Sequence, residues 1–211
     1  DTDASSNSIA VNGAGVKGPL LNADVTAYIL DPRQADLKGE MIARGNTDDK
    51  AKLALDISEA YLSQGPFLIS YQGGNERDGS LPIIEELQTI LSNDQLRSGT
   101  AVFATPLSTF AIAHARQIAD RAAVNQDALT QGLTGNNDGS VSIEEFNAGL
   151  ATAVSSIKAT LGLGVLTEDI DLFTTSPMIS ADTDTQQTLA LRTSNEVFAA
   201  IINTLKQEVA A

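Results

Sequence analysis

Val25-Thr26-Ala27-Tyr28-Ile29 sets Val25, Ala27 and Ile29 two residues apart, the period at which a strand sends side chains to one face. Outward from it, the same short alternation recurs at Ile9 and Val11, at Met41 and Ala43, at Leu53 and Leu55, and at Phe67, Ile69 and Tyr71. Turn formers separate the runs: Asn22, Asp31-Pro32, the stretch from Asn46 to Lys50, and Gly73-Gly74. Short strands punctuated this way predict an antiparallel β-sandwich. We assign residues 9–104 to that domain, with 74–100 as a variable segment, and residues 1–8, all small or polar, to a flexible leader.

The pattern changes after residue 104. Thr105 suits a helix cap and Pro106 the first helical position, where its missing N–H costs nothing. Leu107, Phe110, His114 and Ile118 then follow at helical spacing. A second helix is predicted from about Ile143, with Phe146, Leu150, Val154, Ile157 and Leu161 on one face. The last carries Phe198, Ile201, Ile202, Leu205 and Val209. It begins either at a Thr193–Glu196 capping box or earlier, near Asp184. Residues 105–211 thus form a helical domain, and the fold class is α+β. Ile83, Ile84, Leu87, Ile90 and Leu91 are also helically spaced, so the residues alone predict helix over 82–92 and strand over 100–104.

The string Val16-Lys17-Gly18-Pro19-Leu20-Leu21-Asn22-Ala23-Asp24-Val25-Thr26-Ala27-Tyr28 resembles the opening of carboxypeptidase-regulatory-like (transthyretin-like) β-sandwich modules of bacterial surface proteins. Thr47-Asp48-Asp49-Lys50-Ala51 stands where that family has a Thr-Asp-x-x-Gly turn, with Ala51 in place of the glycine. Ala104-Thr105-Pro106-Leu107-Ser108-Thr109-Phe110 is similar to the segment that opens a helical region after such a sandwich. Leu161-Gly162-Leu163 and Asp169-Ile170-Asp171-Leu172 resemble the same region. The resemblance implies a transthyretin/Ig-like sandwich, strands within 74–100, and display outside the cell rather than a reaction.

Thr134-Gly135-Asn136-Asn137-Asp138-Gly139-Ser140-Val141-Ser142-Ile143-Glu144-Glu145 fits an EF-hand calcium loop with Gly139 at its sixth position. Asn136 and Asp138 take positions three and five, Ser140 offers its carbonyl at seven, and Ser142 stands at nine. Glu145 takes the bidentate position twelve. A hard cation requires oxygens, and the sharp turn requires glycine at positive φ. Thr134 replaces the first Asp and brings an oxygen without charge, which sets the expected affinity near ~10⁻⁴–10⁻³ M. The metal ligands are therefore Thr134, Asn136, Asp138, Ser140, Ser142 and Glu145, and the cofactor is Ca²⁺. No second hand pairs with this one, so a structural ion is expected rather than a sensor. Glu76, Asp78 and Glu85 echo the loop around Asp78-Gly79; they form either a second ion site or a plain Asp-Gly turn before an acidic segment.

Composition narrows the function classes. A net charge of −14 repels nucleic acid and anionic membranes. With no Cys there is neither a disulfide nor a thiol nucleophile. His114 is the only histidine and sits beside Phe110 and Ile118, a packed position. Gly13-Ala14-Gly15-Val16-Lys17-Gly18 matches a dinucleotide fingerprint on paper, but Pro19 and a strand follow where a helix is needed. Glu85-Glu86 and Glu144-Glu145 are adjacent in sequence and would diverge on a helix. Asp48-Asp49, and Asp182 with Asp184, read as solvated loops. Catalysis is not expected. No apolar run reaches membrane length, and the sequence opens at Asp1 rather than Met. We read it as a mature bacterial chain, extracellular or at the cell surface, with its signal peptide removed; a trimmed chain is the alternative.

Two functional readings stay open. The first is a non-catalytic, calcium-stabilised structural protein of a cell surface or matrix. It would self-assemble by adding Ser8-Ile9-Ala10-Val11 to a neighbour's sheet edge, its partners being copies of itself or other surface proteins. The alternative is a calcium-dependent binding or adhesion module for a polysaccharide, small ligand or protein.

Overall fold

A computed structural model of the chain describes residues 7–16, 19–124, 133–181 and 184–210. The expected leader lies outside these up to residue 6; Asn7 and Ser8 do not belong to it. The Asn7 carbonyl accepts a hydrogen bond from the Glu59 N–H at 2.9 Å, and Ser8 opens the first strand. The chain is α+β, with a curled five-stranded antiparallel sheet covered by helices.

That sheet runs in the order β5 (Leu53–Ala54), β4 (Lys38–Thr47), β3 (Asp24–Leu30), β7 (Phe67–Gln72), β8 (Glu86–Leu91). Two short ladders stand apart from it. β1 (Ser8–Ala10) pairs antiparallel with β6 (Asp56–Ser58), and β2 (Gly13–Gly15) pairs parallel with β9 (Val102–Ala104). Alternation on β3 works as the sequence predicts, since Val25 and Ala27 are fully buried while Asp24 is exposed. They join Phe67, Ile69, Tyr71, Leu87 and Leu91 in a core on one face, together with Val11 and Ile57 from beside and within the β1–β6 ladder and Val102 and Ala104 from β9. Each such large side chain contributes ~1.5–3 kcal/mol by leaving water.

The sheet's other face carries Leu30 and Leu68, which form a second core with Ile112, Ala115, Ile118 and Ala119 of helix α2 (Pro106–Val124) and with Phe146 of α3 (Ile143–Leu161). Residues from both sides of position 104 therefore share one core. A sheet buried on both faces puts apolar residues on both sides of its strands. That is why the predicted helix over 82–92 is corrected to strand β8. Leu87 and Leu91 serve the first core and Ile90 the second, a two-sided pattern that imitates helical spacing. The short helix α1 (Asn93–Ser98) follows, started by a Ser92–Gln95 capping box and ended by Gly99 in the left-handed conformation. The strand expected over 100–104 is present as β9.

Helix α2 starts as its sequence indicates. The Thr105 hydroxyl accepts from the Ser108 N–H at 3.1 Å, and the Ser108 hydroxyl accepts from the Thr105 N–H at 2.8 Å. The same turn seals an edge of the sheet. The Gln88 N–H donates to Thr109 Oγ1 at 2.8 Å, and Ser108 Oγ donates to the Gln88 carbonyl at 2.6 Å, so at Gln88 the outer backbone of β8 is not left open. Helices α2 and α3 approach closely at Gly149, where a Cβ would stand 2.7 Å from the Ala115 carbonyl oxygen. Helix α4 (Thr185–Ala210) is capped by Asp184, whose carboxylate accepts from the Gln187 N–H at 3.0 Å. The earlier of the two predicted starts is the correct one. Along α4, Leu191, Asn195 and Phe198 are buried, Ile202 is half-buried, and Leu205 and Val209 are exposed. No described helix is long and apolar enough to cross a membrane.

Candidate metal centre

The loop ahead of α3 is shaped by its own side chains. Gly139 has φ +84°, a conformation that costs other residues ~1–2 kcal/mol, and its N–H donates to the Ala123 carbonyl near the end of α2 at 2.8 Å. Asp138 Oδ1 accepts from the Ser140 N–H at 2.9 Å, and Asn136 Oδ1 accepts from the Asp138 N–H at 3.2 Å. Val141, the apolar position of the motif, is buried in the core that contains Leu30 and Leu37. In a paired hand this position meets a second loop; here the β3–β4 hairpin takes that place.

Glu145 closes the loop. Only 4% of the residue is exposed. One carboxylate oxygen accepts from the Asn136 N–H at 2.9 Å and the other from the Ser142 N–H at 2.9 Å. The Ser142 hydroxyl in turn accepts from the Glu145 N–H at 3.1 Å, so the pair is a capping box for α3. Asn136 also donates from Nδ2 to Asp138 Oδ2 at 2.8 Å. It thereby stands between the two carboxylates, Asp138 and Glu145. Among the described residues Glu145 has no cationic partner.

The structure thus brings together Asn136, Asp138, Ser140, Ser142 and Glu145 of the expected ligands. Thr134 is exposed, and no hydrogen bond joins it to the others. The donors are all oxygens and two are carboxylates, a set that fits a hard cation of modest affinity. Among the described residues no three His, Cys, Asp or Glu side chains group as a metal site. The echo around residue 78 is an Asx turn, with Asp78 Oδ1 accepting from the Ser80 N–H at 2.9 Å and from its hydroxyl at 2.6 Å. Glu85 points elsewhere, into an apolar groove with Phe110 and Ile202.

Reading from the sequence missed two features. Ser142-x-x-Glu145 is a capping-box signal as well as positions nine and twelve of the metal motif, and the cap engages the Ser142 hydroxyl and the Glu145 carboxylate that the motif would use. The other is a tie between β4 and β8. Lys38 Nζ lies 2.8 Å from Glu86 Oε1, which also accepts from Ser70 Oγ at 2.6 Å and Gln88 Nε2 at 2.9 Å. Burial alone would raise the Glu86 pKa, but the hydrogen bonds from Lys38, Ser70 and Gln88 outweigh it and hold the carboxyl below its ordinary value. Burial likewise opposes the charge on Lys38, and Glu86 more than restores it. Each charge is neutralised by the other, so neither is poised for proton transfer. His114 is half-buried and stacked on Phe110, with ring centroids 5.8 Å apart. The Gly13–Gly15 part of the dinucleotide-like string is strand β2, Val16 continues it with its N–H donating to the Ala104 carbonyl, and Lys17-Gly18 lies outside the described residues, as does Asp182.

No protein-family model, no curated protein and no solved structure matches this chain.

Proposed function

We propose that the chain is a non-catalytic structural protein of a cell surface or matrix, in which calcium at the loop of residues 134–145 braces helix α3 against α2 and the β3–β4 hairpin. One observation carries the reading. The Glu145 carboxylate is buried with backbone N–H partners alone, at the mouth of a loop that already holds Asp138 and Asn136. Calcium would replace the Asn136 N–H as partner of Glu145 and draw oxygens from Asn136, Asp138, Ser140 and Ser142. Because the capping box holds the loop without the ion, the ion acts as reinforcement and the fold does not depend on it.

The transthyretin-like relationship belongs to the same proposal. The β1–β6 and β2–β9 ladders lie over the core face of the main sheet, as the second layer of a reduced sandwich would. Ala51 holds φ +63° at the place where the family has its turn glycine. Assembly through residues 8–11 would require β1 to leave its own β6 and pair with that of a neighbour, an exchange of like for like.

The test is thermal denaturation in calcium and in chelator. At tenfold excess over Kd, calcium contributes ~1.4 kcal/mol, which raises the midpoint of a chain this size by ~3–5 °C. Glu145→Gln should abolish that difference and also lower the calcium-free midpoint through the weakened cap. Equal midpoints with and without millimolar-range calcium would reject the calcium role.

A further inference from the structure

A cleft of about 510 Å³ lies between the β7–β8 loop and helix α4. Its apolar wall is Val16, Pro177, Met178 and Ile179. Val16 belongs to a small core with Ala14 and Phe103, against which Met178 packs, so this wall is anchored to the β2–β9 ladder. Arg77 lines the cleft from the loop and Arg192 from the helix, 115 residues apart in sequence (192 − 77). A volume in this range, with an apolar wall and a few charged groups, is that of a small-molecule site.

The two arginines differ from most of the others. Arg33 pairs with Asp31, Arg97 with Asp94 and Arg116 with Asp120. Among the described residues Arg77 and Arg192 make no ion pair and no side-chain hydrogen bond. In a chain with 27 acidic and 13 basic residues, carboxylate partners abound, and leaving two guanidinium groups unpaired at one cleft leaves their forked donors available to a ligand. Among the described residues Glu76 and Glu196 stand on the same rim and balance the charge of the two arginines. That arrangement rejects polyanions and leaves room for a single negative group on the arginine side.

We propose that this cleft binds a small amphiphilic monoanion, with its acid group at Arg77 and Arg192 and its apolar body on Met178, Ile179 and Val16. The site is independent of the calcium loop. Octanoate is a suitable probe, with octylammonium and octanol as matched controls, each titrated into the full chain and read by nuclear magnetic resonance at the arginine Nε–H and Met178 methyl signals. The expected result is saturable shifts of both arginines and of Met178 with octanoate only, and at least a tenfold weaker apparent affinity in Arg77→Ala/Arg192→Ala. Both side chains are exposed, so that variant should keep its thermal midpoint. Phe110→Ala, in the separate apolar groove, should leave octanoate affinity unchanged. Equal binding of all three probes, octanoate binding that survives loss of both arginines or is lost in Phe110→Ala, or no saturation in the millimolar range would each overturn the proposal.

Discussion

Ala51 shows what one backbone angle costs. Its φ of +63° is a left-handed conformation that an L side chain occupies at ~1–2 kcal/mol. The turn holds it there because Asp48 Oδ1 accepts from the N–H groups of both Lys50 and Lys52 at 2.8 Å. Those bonds hold the Asp48 carboxyl below its ordinary value. Ala51→Gly should relieve the strain at the expense of a more flexible unfolded chain, for a net gain of ~0.5–1 kcal/mol. Urea denaturation checks this, and an unchanged or lower stability would reject the strain. The sequence places a turn at Asn46–Lys50, but no side-chain pattern reports the sign of φ at an alanine. Glu145 illustrates a different limit. Its type and spacing suit both a metal loop and a helix cap, and the two uses differ only in which partners its oxygens take.

At the scale of elements, β8 and the Lys38–Glu86 tie belong together. The sheet curls enough for Lys38 on β4 to reach Glu86 on β8 past β3 and β7. Because folding lowers the Glu86 pKa, the unfolded chain binds the proton more tightly, and stability from this carboxyl is complete above the unfolded value of 4.5 and is lost as pH falls through the lower folded value. Glu86→Gln should cost ~1–2 kcal/mol at neutral pH, and the gap between variant and parent should close in acid. A gap that stays constant from neutral to acid pH would show that Glu86 is not the titrating group. β3 was legible because fully buried Val25 and Ala27 alternate with exposed Asp24 and half-buried Thr26 and Tyr28, so period two survives. β8 was not, since Ile90 packs on the second core while Leu87 and Leu91 serve the first, and with Ile83 and Ile84 just before the strand the apolar residues fall at helical spacing. The helices after residue 104 were legible from caps and stripes: Thr105-Pro106 and Ser142–Glu145 mark where two of them begin, and Asp184 marks the third.

For the whole molecule, the two cores meet at a single sheet, and residues before and after position 104 contribute to the second of them. The sequence suggests a boundary there because periodicity changes; it does not reveal that the first helix packs straight onto the strands. Helix α4 departs from this shared body as it runs. Leu191 and Phe198 are anchored against Leu107 and Ala111 of α2, whereas Val209 is 90% exposed. Tertiary packing supplies most of a helix's stability, so the same helix is firm at one end and, past the Lys206 Nζ that donates to the Ile83 carbonyl at 2.7 Å, supported mainly by its own backbone at the other. Amide hydrogen exchange should therefore be slow at the buried positions from 191 to 199, approaching the global opening rate, and should quicken turn by turn toward 210. Uniform protection along α4 would mean that the far end is held by a neighbour in solution. With no such neighbour, the terminal turns melt and reform without disturbing either core, and a tag or a cross-link placed there would report on the surroundings while the folded body keeps its own rhythm.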